Sequence, residues 1–159
     1  MTDTFIPSTR KELITRWLVR LRLLEVCHYE AAKPLAKMNM ILGIPVIILT
    51  TVVGTTVFAT LQKAVDPEIR LWVGIISLAA AVLAGLQTFL RFSARATLHR
   101  ENAASAGMYR RELEQIIADN DIDKLTKEEV TTLREKIDLL AKTDISIPSN
   151  IFERFRDEQ

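Results

Sequence analysis

Met38-Asn-Met-Ile-Leu-Gly-Ile-Pro-Val-Ile-Ile-Leu-Thr-Thr-Val-Val-Gly-Thr-Thr-Val-Phe-Ala-Thr-Leu61 and Leu71-Trp-Val-Gly-Ile-Ile-Ser-Leu-Ala-Ala-Ala-Val-Leu-Ala-Gly-Leu-Gln-Thr-Phe-Leu90 decide the fold of this 159-residue chain. No ionisable side chain lies between Lys37 and Lys63, and none between Arg70 and Arg91. About 20 helical residues, rising 1.5 Å each, cross a hydrocarbon core roughly 30 Å thick, so both stretches are long enough to span. In lipid the backbone must satisfy its own hydrogen bonds, which selects helix over strand. The first stretch holds twelve Ile, Leu, Val and Phe residues. At roughly −0.4 kcal/mol each, their insertion gains on the order of 5 kcal/mol before Gly, Pro and Thr reduce it. The first run begins behind seven basic residues, too late and too long for a cleaved leader. A soluble bundle with a buried hairpin is the alternative, but so short a chain leaves little protein to cover two such helices.

Outward from the spans, the average composition misleads. The formal charge is +1 and the chain is 48% hydrophobic, as in an ordinary soluble domain. Yet residues 1–111 carry 14 basic and 7 acidic side chains, and residues 112–159 carry 7 and 13. The single cysteine excludes a disulfide framework or a Cys-rich zinc module. The connection Gln62-Lys-Ala-Val-Asp-Pro-Glu-Ile-Arg70 is short, so the spans form an antiparallel hairpin. Arg22, Lys33, Lys37, Arg91, Arg95, Arg100 and Arg110 flank the other side. The excess of basic residues there places both termini in the cytoplasm and the loop outside.

The expected architecture is an all-α membrane protein. An N-terminal cytoplasmic amphipathic helix (1–37) leads into transmembrane helices at 38–61 and 71–90, joined by the outer loop 62–70. A cytoplasmic extension of the second span (91–118) and an acidic helical appendage (119–159) complete it. Thr9-Arg-Lys-Glu12 and Thr126-Lys-Glu-Glu129 read as capping boxes, and Pro148-Ser-Asn starts a short last helix. Trp17, Leu21, Leu24, His28, Ala31 and Leu35 recur at helical spacing. This basic helix lies on anionic lipid, packs on a partner helix, or packs within its own cytoplasmic bundle. Pro34 is expected to end or kink it, while 91–118 is expected to continue the second span without a break.

The spans lack Asp, Glu, Lys, Arg and His. Such groups, expensive at membrane depth, are what proton-coupled transporters and intramembrane enzymes use. No phosphate-cradling glycine loop, nucleophile elbow or metal-binding helix motif occurs elsewhere. Cys27-His28 and His99 are too few for a tetrahedral metal site and read as packed side chains. The expectation is therefore no catalytic residue, no metal, no cofactor and no direct contact with nucleic acid.

Small and hydroxylated residues in the spans carry the remaining signal. Gly74, Ser77, Ala81, Ala84, Gly85 and Thr88 share one face, a small-xxx-small pattern that lets helices approach closely in lipid. Thr51, Thr55 and Ala59, with Gln62 beyond, form a second stripe. It either back-bonds to its own helix or lines a narrow pathway between assembled hairpins. Pro45, near Gly43, frees a carbonyl and kinks the helix, as a gate hinge or as simple geometry. Lys37 and Arg91 then sit at the cytoplasmic mouth, Asp66 and Glu68 at the outer one.

The segments Trp17…Cys27-His28-Tyr29-Glu-Ala-Ala32, Leu86-Gln-Thr-Phe-Leu-Arg-Phe92, His99-Arg-Glu-Asn-Ala-Ala104 and Tyr109-Arg-Arg-Glu-Leu113, in this order around a two-span hairpin, resemble the SLATT family. SLATT names the two-transmembrane effector domain associated with nucleotide-second-messenger synthetases and SLOG sensor domains. The resemblance covers roughly residues 10–145, with Trp17, His28, Tyr29, His99 and Tyr109 among its motif residues. It implies a non-enzymatic membrane effector of bacterial conflict and antiviral systems that oligomerises and perforates the inner membrane when a partner senses infection. It brings no catalytic residue. No sensor or nucleotide-synthesising segment is fused here, so the expected trigger is a separate protein. A membrane-anchored adaptor and a holin-like protein remain as rival readings.

Overall fold

In the computed structural model, residues 6–60, 66–119, 121–143 and 145–156 are described, with the side chains of 58–60 and 143 outside that description. The described residues contain helices and no strand. They run α1 (Arg10–Thr60), α2 (Pro67–Leu90), α3 (Phe92–Ala118), a 3₁₀ turn (Ile122–Lys124), α4 (Lys127–Thr143) and α5 (Ser149–Arg156). The chain is an all-α protein with two apolar helices long enough to cross a membrane.

Local chemistry sets most of these boundaries. Thr9 Oγ1 accepts the Glu12 N–H at 3.2 Å, and the Glu12 carboxylate accepts from the Ser8 N–H and hydroxyl, at 2.7 and 2.9 Å, with weaker contributions from Thr9. The box thus extends one residue beyond its sequence pattern. At α4 it closes on itself: Thr126 Oγ1 accepts the Glu129 N–H at 3.2 Å, and Glu129 accepts the Thr126 N–H at 2.7 Å. Asp66 caps α2 by accepting the Glu68 N–H at 3.2 Å, ahead of Pro67 at the first helical position.

One expectation is narrowed and one differs from the structure. Of the two outcomes expected at Pro34, an end or a kink, the end does not occur, since α1 continues through Pro34 and Pro45 alike. Proline costs the helix one hydrogen bond. Ala31 and Ala32 are buried on the turn before Pro34, and Leu35 and Ala36 are half-buried after it, so the packed face runs unbroken past the lost bond. Conversely, the second span and residues 92–118 are not one helix. Arg91 sits at φ 48°, ψ 37°, in the left-handed region, and its N–H bonds Gln87 O at 3.3 Å. Arg91 O already accepts the Arg95 N–H at 3.0 Å, so α3 starts at once.

The chain divides into two compact units, residues 33–96 and residues 1–32 with 97–159. In the second of these, Ile14, Leu21, Ala106, Leu113, Ile122, Leu133, Ile137 and Leu140 form the core. Trp17, Leu24, Tyr109, Ile116 and Leu125 pack against it. Ion pairs tie its helices: Glu25 to Arg110 at 2.8 Å and Glu112 to Lys136 at 2.6 Å. Arg10 donates to the Leu125 carbonyl.

Candidate functional site

The hairpin unit is built from two stripes. On α2, Val73, Ile76, Ser77, Ala80, Leu83, Ala84, Gln87 and Leu90 are buried or half-buried, a 3–4 spacing that turns one face inward. On α1, Asn39, Leu42, Gly43, Val46, Leu49 and Val53 do the same. Gly43 marks a tight contact between the two helices: a Cβ there would meet Gln87 Nε2 at 3.1 Å. The Gln87 amide therefore lies across the glycine, a polar contact that a small-residue reading of the spans alone does not reveal. Pro45 faces outward from this contact.

The outer surface is apolar. Ile47, Ile48, Leu71, Trp72, Leu78 and Phe89 are all more than half exposed. No residue in the most apolar stretch of α1 is buried, and 6% are in that of α2. The core helix of a soluble protein would show the opposite. The small residues of α2 divide between the two surfaces. Ser77 and Ala84 are half-buried, while Gly74, Ala81, Gly85 and Thr88 are exposed. A Cβ at Gly74 or Gly85 would meet nothing within 4 Å.

The threonine hydroxyls turn to their own helix. Thr51 donates to Ile47 O at 2.7 Å, and Thr55 donates to Thr51 O and Val52 O, both at 3.0 Å. Both residues are exposed. The Ala59 side chain and Gln62 lie outside the described residues. Lys37 is exposed and Arg91 occupies the α2–α3 break. Asp66 and Glu68 are spent on the first turn of α2, Asp66 as its cap.

The motif residues of the other unit are brought together more tightly than their separation suggests. His28 Nδ1 and His99 Nδ1 lie 2.9 Å apart, with side chains only 2% and 3% exposed. One nitrogen carries the proton and the other accepts it. Cys27 beside them is fully buried, and burial raises its thiol pKa. Trp17 and Tyr109 serve the core, whereas Tyr29 is exposed. Among the described residues no group of three His, Cys, Asp or Glu side chains is placed to hold a metal. Gly107 is the other tight point, since a Cβ there would lie 2.7 Å from Glu25 Oε1.

A family model described as "SMODS and SLOG-associating 2TM effector domain family 4" matches residues 14–150. No curated protein and no solved structure matches the chain.

Proposed function

The chain belongs to the SMODS and SLOG-associating two-transmembrane effector domain family 4, a defence-associated membrane effector family, and from that premise we propose that it is a non-enzymatic oligomeric effector that opens an ion-leaking pathway. Its setting in this reading is the bacterial inner membrane, with both termini cytoplasmic and a separate sensor or nucleotide-signal-producing protein as trigger. The observation that carries the proposal is the exterior of the hairpin. It is predominantly apolar, with Thr50, Thr51, Thr55 and Thr88 among its exposed residues, holds no ionisable side chain across either span, and leaves Gly74, Ala81 and Gly85 open on α2. A second hairpin can approach that surface closely in lipid.

The test has two parts. Protein reconstituted in liposomes, with the product of a neighbouring gene supplied as trigger, is expected to release trapped dye. Ala81→Leu and Gly85→Leu, which block close helix contact, are expected to reduce oligomer size in detergent and abolish release. A protein that stays monomeric and never conducts contradicts the proposal.

One observation favours a second reading, a membrane-anchored adaptor. Thr51 and Thr55 donate their protons to their own helix, so both described hydroxyls of this stripe already have an acceptor within α1. Exchanging both spans for an unrelated hairpin separates the two readings. Retained activity supports the adaptor, and lost activity supports the pore.

A further inference from the structure

We propose that the break between α2 and α3 at Arg91 is one state of a two-state device, and that residues 67–118 also form one unbroken helix in which the α3 face carrying His99 turns away from α1. The effector reading gives this break no role, and the inference does not depend on whether the hairpin conducts.

The backbone carries the local cost of the break. Among the described residues Arg91 is the one non-glycine position with positive φ, at 48°, a conformation in which a Cβ crowds the following carbonyl. No glycine or proline occurs between Gly85 and Gly107, so nothing in the residue types forbids a continuous helix there. The N–H groups of Phe92, Ser93 and Ala94 do not bond the carbonyls of Thr88, Phe89 and Leu90, as an unbroken helix requires. Straightening would gain those ladder bonds and relax Arg91.

Packing opposes this gain. In one helix turning about 100° per residue, the packed positions Ala80, Ala84 and Gln87 of α2 and Ala96, His99, Ala103 and Ala106 of α3 would lie on faces roughly 110° apart. On α1, by contrast, Ile14, Leu21, His28, Leu35, Leu42 and Leu49 recur every seven residues as one packed stripe. The left-handed residue supplies the missing rotation, and a straight helix must turn one of the two faces out. The face that yields is that of α3. Turning α2 would move the Gln87 amide from Gly43 into lipid, which cannot satisfy it. The buried residues of α3 before Gly107 are three alanines, His99 and Asn102, all of which water tolerates. Turning them out parts the His28 and His99 Nδ1 atoms, 2.9 Å apart in the broken state. Local gain and packing loss each come from a handful of contacts, the condition for two populated states.

The test uses the full chain in phosphatidylcholine nanodiscs and reads two signals by mass spectrometry. One is amide exchange resolved at Phe92, Ser93 and Ala94; the other is carbethoxylation of His99, one of the two histidines in the chain. Arg91→Val, β-branched and so the poorest fit to the left-handed region, is expected to slow exchange at the three amides several-fold and to raise His99 modification several-fold. Arg91→Gly, which suits that region and weakens a continuous helix, is expected to move both signals the opposite way. Arg95→Val, the same change at an exposed position inside α3, is expected to leave both unchanged.

Faster exchange at 92–94 together with raised His99 modification in Arg91→Val means that the segment frays rather than straightens, and overturns the proposal. Signals that respond to neither substitution at Arg91 overturn it as well, because the break is then a single fixed state. An equal response in Arg95→Val also overturns it, since the effect then belongs to valine in α3 and not to the backbone at 91.

Discussion

Replacing Gly107 by alanine should destabilise this protein, although alanine is the better helix former. In α3 a methyl group at position 107 would lie 2.7 Å from Glu25 Oε1 and 3.0 Å from its Cδ, where ordinary contact starts at 3.4 Å. The carboxylate must retreat by roughly 0.7 Å to restore normal packing. It cannot retreat freely, because Glu25 holds Arg110 Nε at 2.8 Å and the two side chains are only 19% and 24% exposed. The same displacement lengthens that bond towards the limit of hydrogen bonding. Loss of a charged hydrogen bond of this kind costs about 1.5–3 kcal/mol, whereas Gly→Ala in a helix interior returns about 1 kcal/mol. The net effect is a destabilisation of about 1 kcal/mol. In a Glu25→Ala background neither the clash nor the bond exists, and the same substitution should stabilise by about 1 kcal/mol. Denaturant titration of the four proteins in one detergent, followed by circular dichroism, measures the cycle. Stabilisation by Gly107→Ala in both backgrounds would refute the reasoning.

Other perturbations follow from the same contacts. His28→Ala removes the partner of His99 Nδ1 from a buried site and leaves a void, so a loss of about 3 kcal/mol is expected in the same titration. Arg91→Gly relieves the left-handed backbone by about 1 kcal/mol, and Arg91→Val, β-branched, worsens it, so unfolding midpoints should rank Gly above Arg above Val. The Thr126 N–H and hydroxyl lower the Glu129 carboxyl pKa. A carboxyl depressed in the folded state contributes stability above its unfolded pKa and loses it as pH falls through the folded one. The contribution of this cap to stability should therefore decline as the pH falls from the ordinary carboxylate range downward, and Glu129→Gln should remove that component of the pH dependence.

What could be read from residue order alone was whatever is local. An uninterrupted apolar run is visible because nothing in it needs a distant partner, and the α4 cap lies within four residues. The break at Arg91 carries no such signal. Neither glycine nor proline marks it, and the flanking residues favour helix, so the left-handed turn is a tertiary outcome. His28 and His99 are 71 positions apart, and each looks like an ordinary packing residue until the fold brings their Nδ1 atoms together. The Gln87–Gly43 contact is hidden for the same reason. Pro34 is the opposite case. Its intrinsic penalty is real, yet of the end or kink it suggests the end does not occur, and α1 runs on through it.

The hairpin exterior is best judged by magnitude. Fifteen large apolar side chains in the stretches 38–61 and 71–90 are exposed, among the described residues. Full burial of such a side chain stabilises by about 1.5–3 kcal/mol. Leaving fifteen roughly half wet forfeits on the order of 15 kcal/mol, as much as the whole stability of a typical domain at about 5–15 kcal/mol. Water is therefore a poor solvent for this unit. The polar groups on the same surface agree. Thr50, Thr51, Thr55, Thr56, Ser77 and Thr88 each donate to a carbonyl of their own helix, so none of these hydroxyl protons needs a solvent acceptor. Back-bonding alone does not mark a membrane helix, since Thr131 and Thr132 of α4 do it too, on a helix rich in charge. The conjunction of satisfied hydroxyls, a charge-free span and an apolar exterior points to lipid, because each removes a different cost of leaving water.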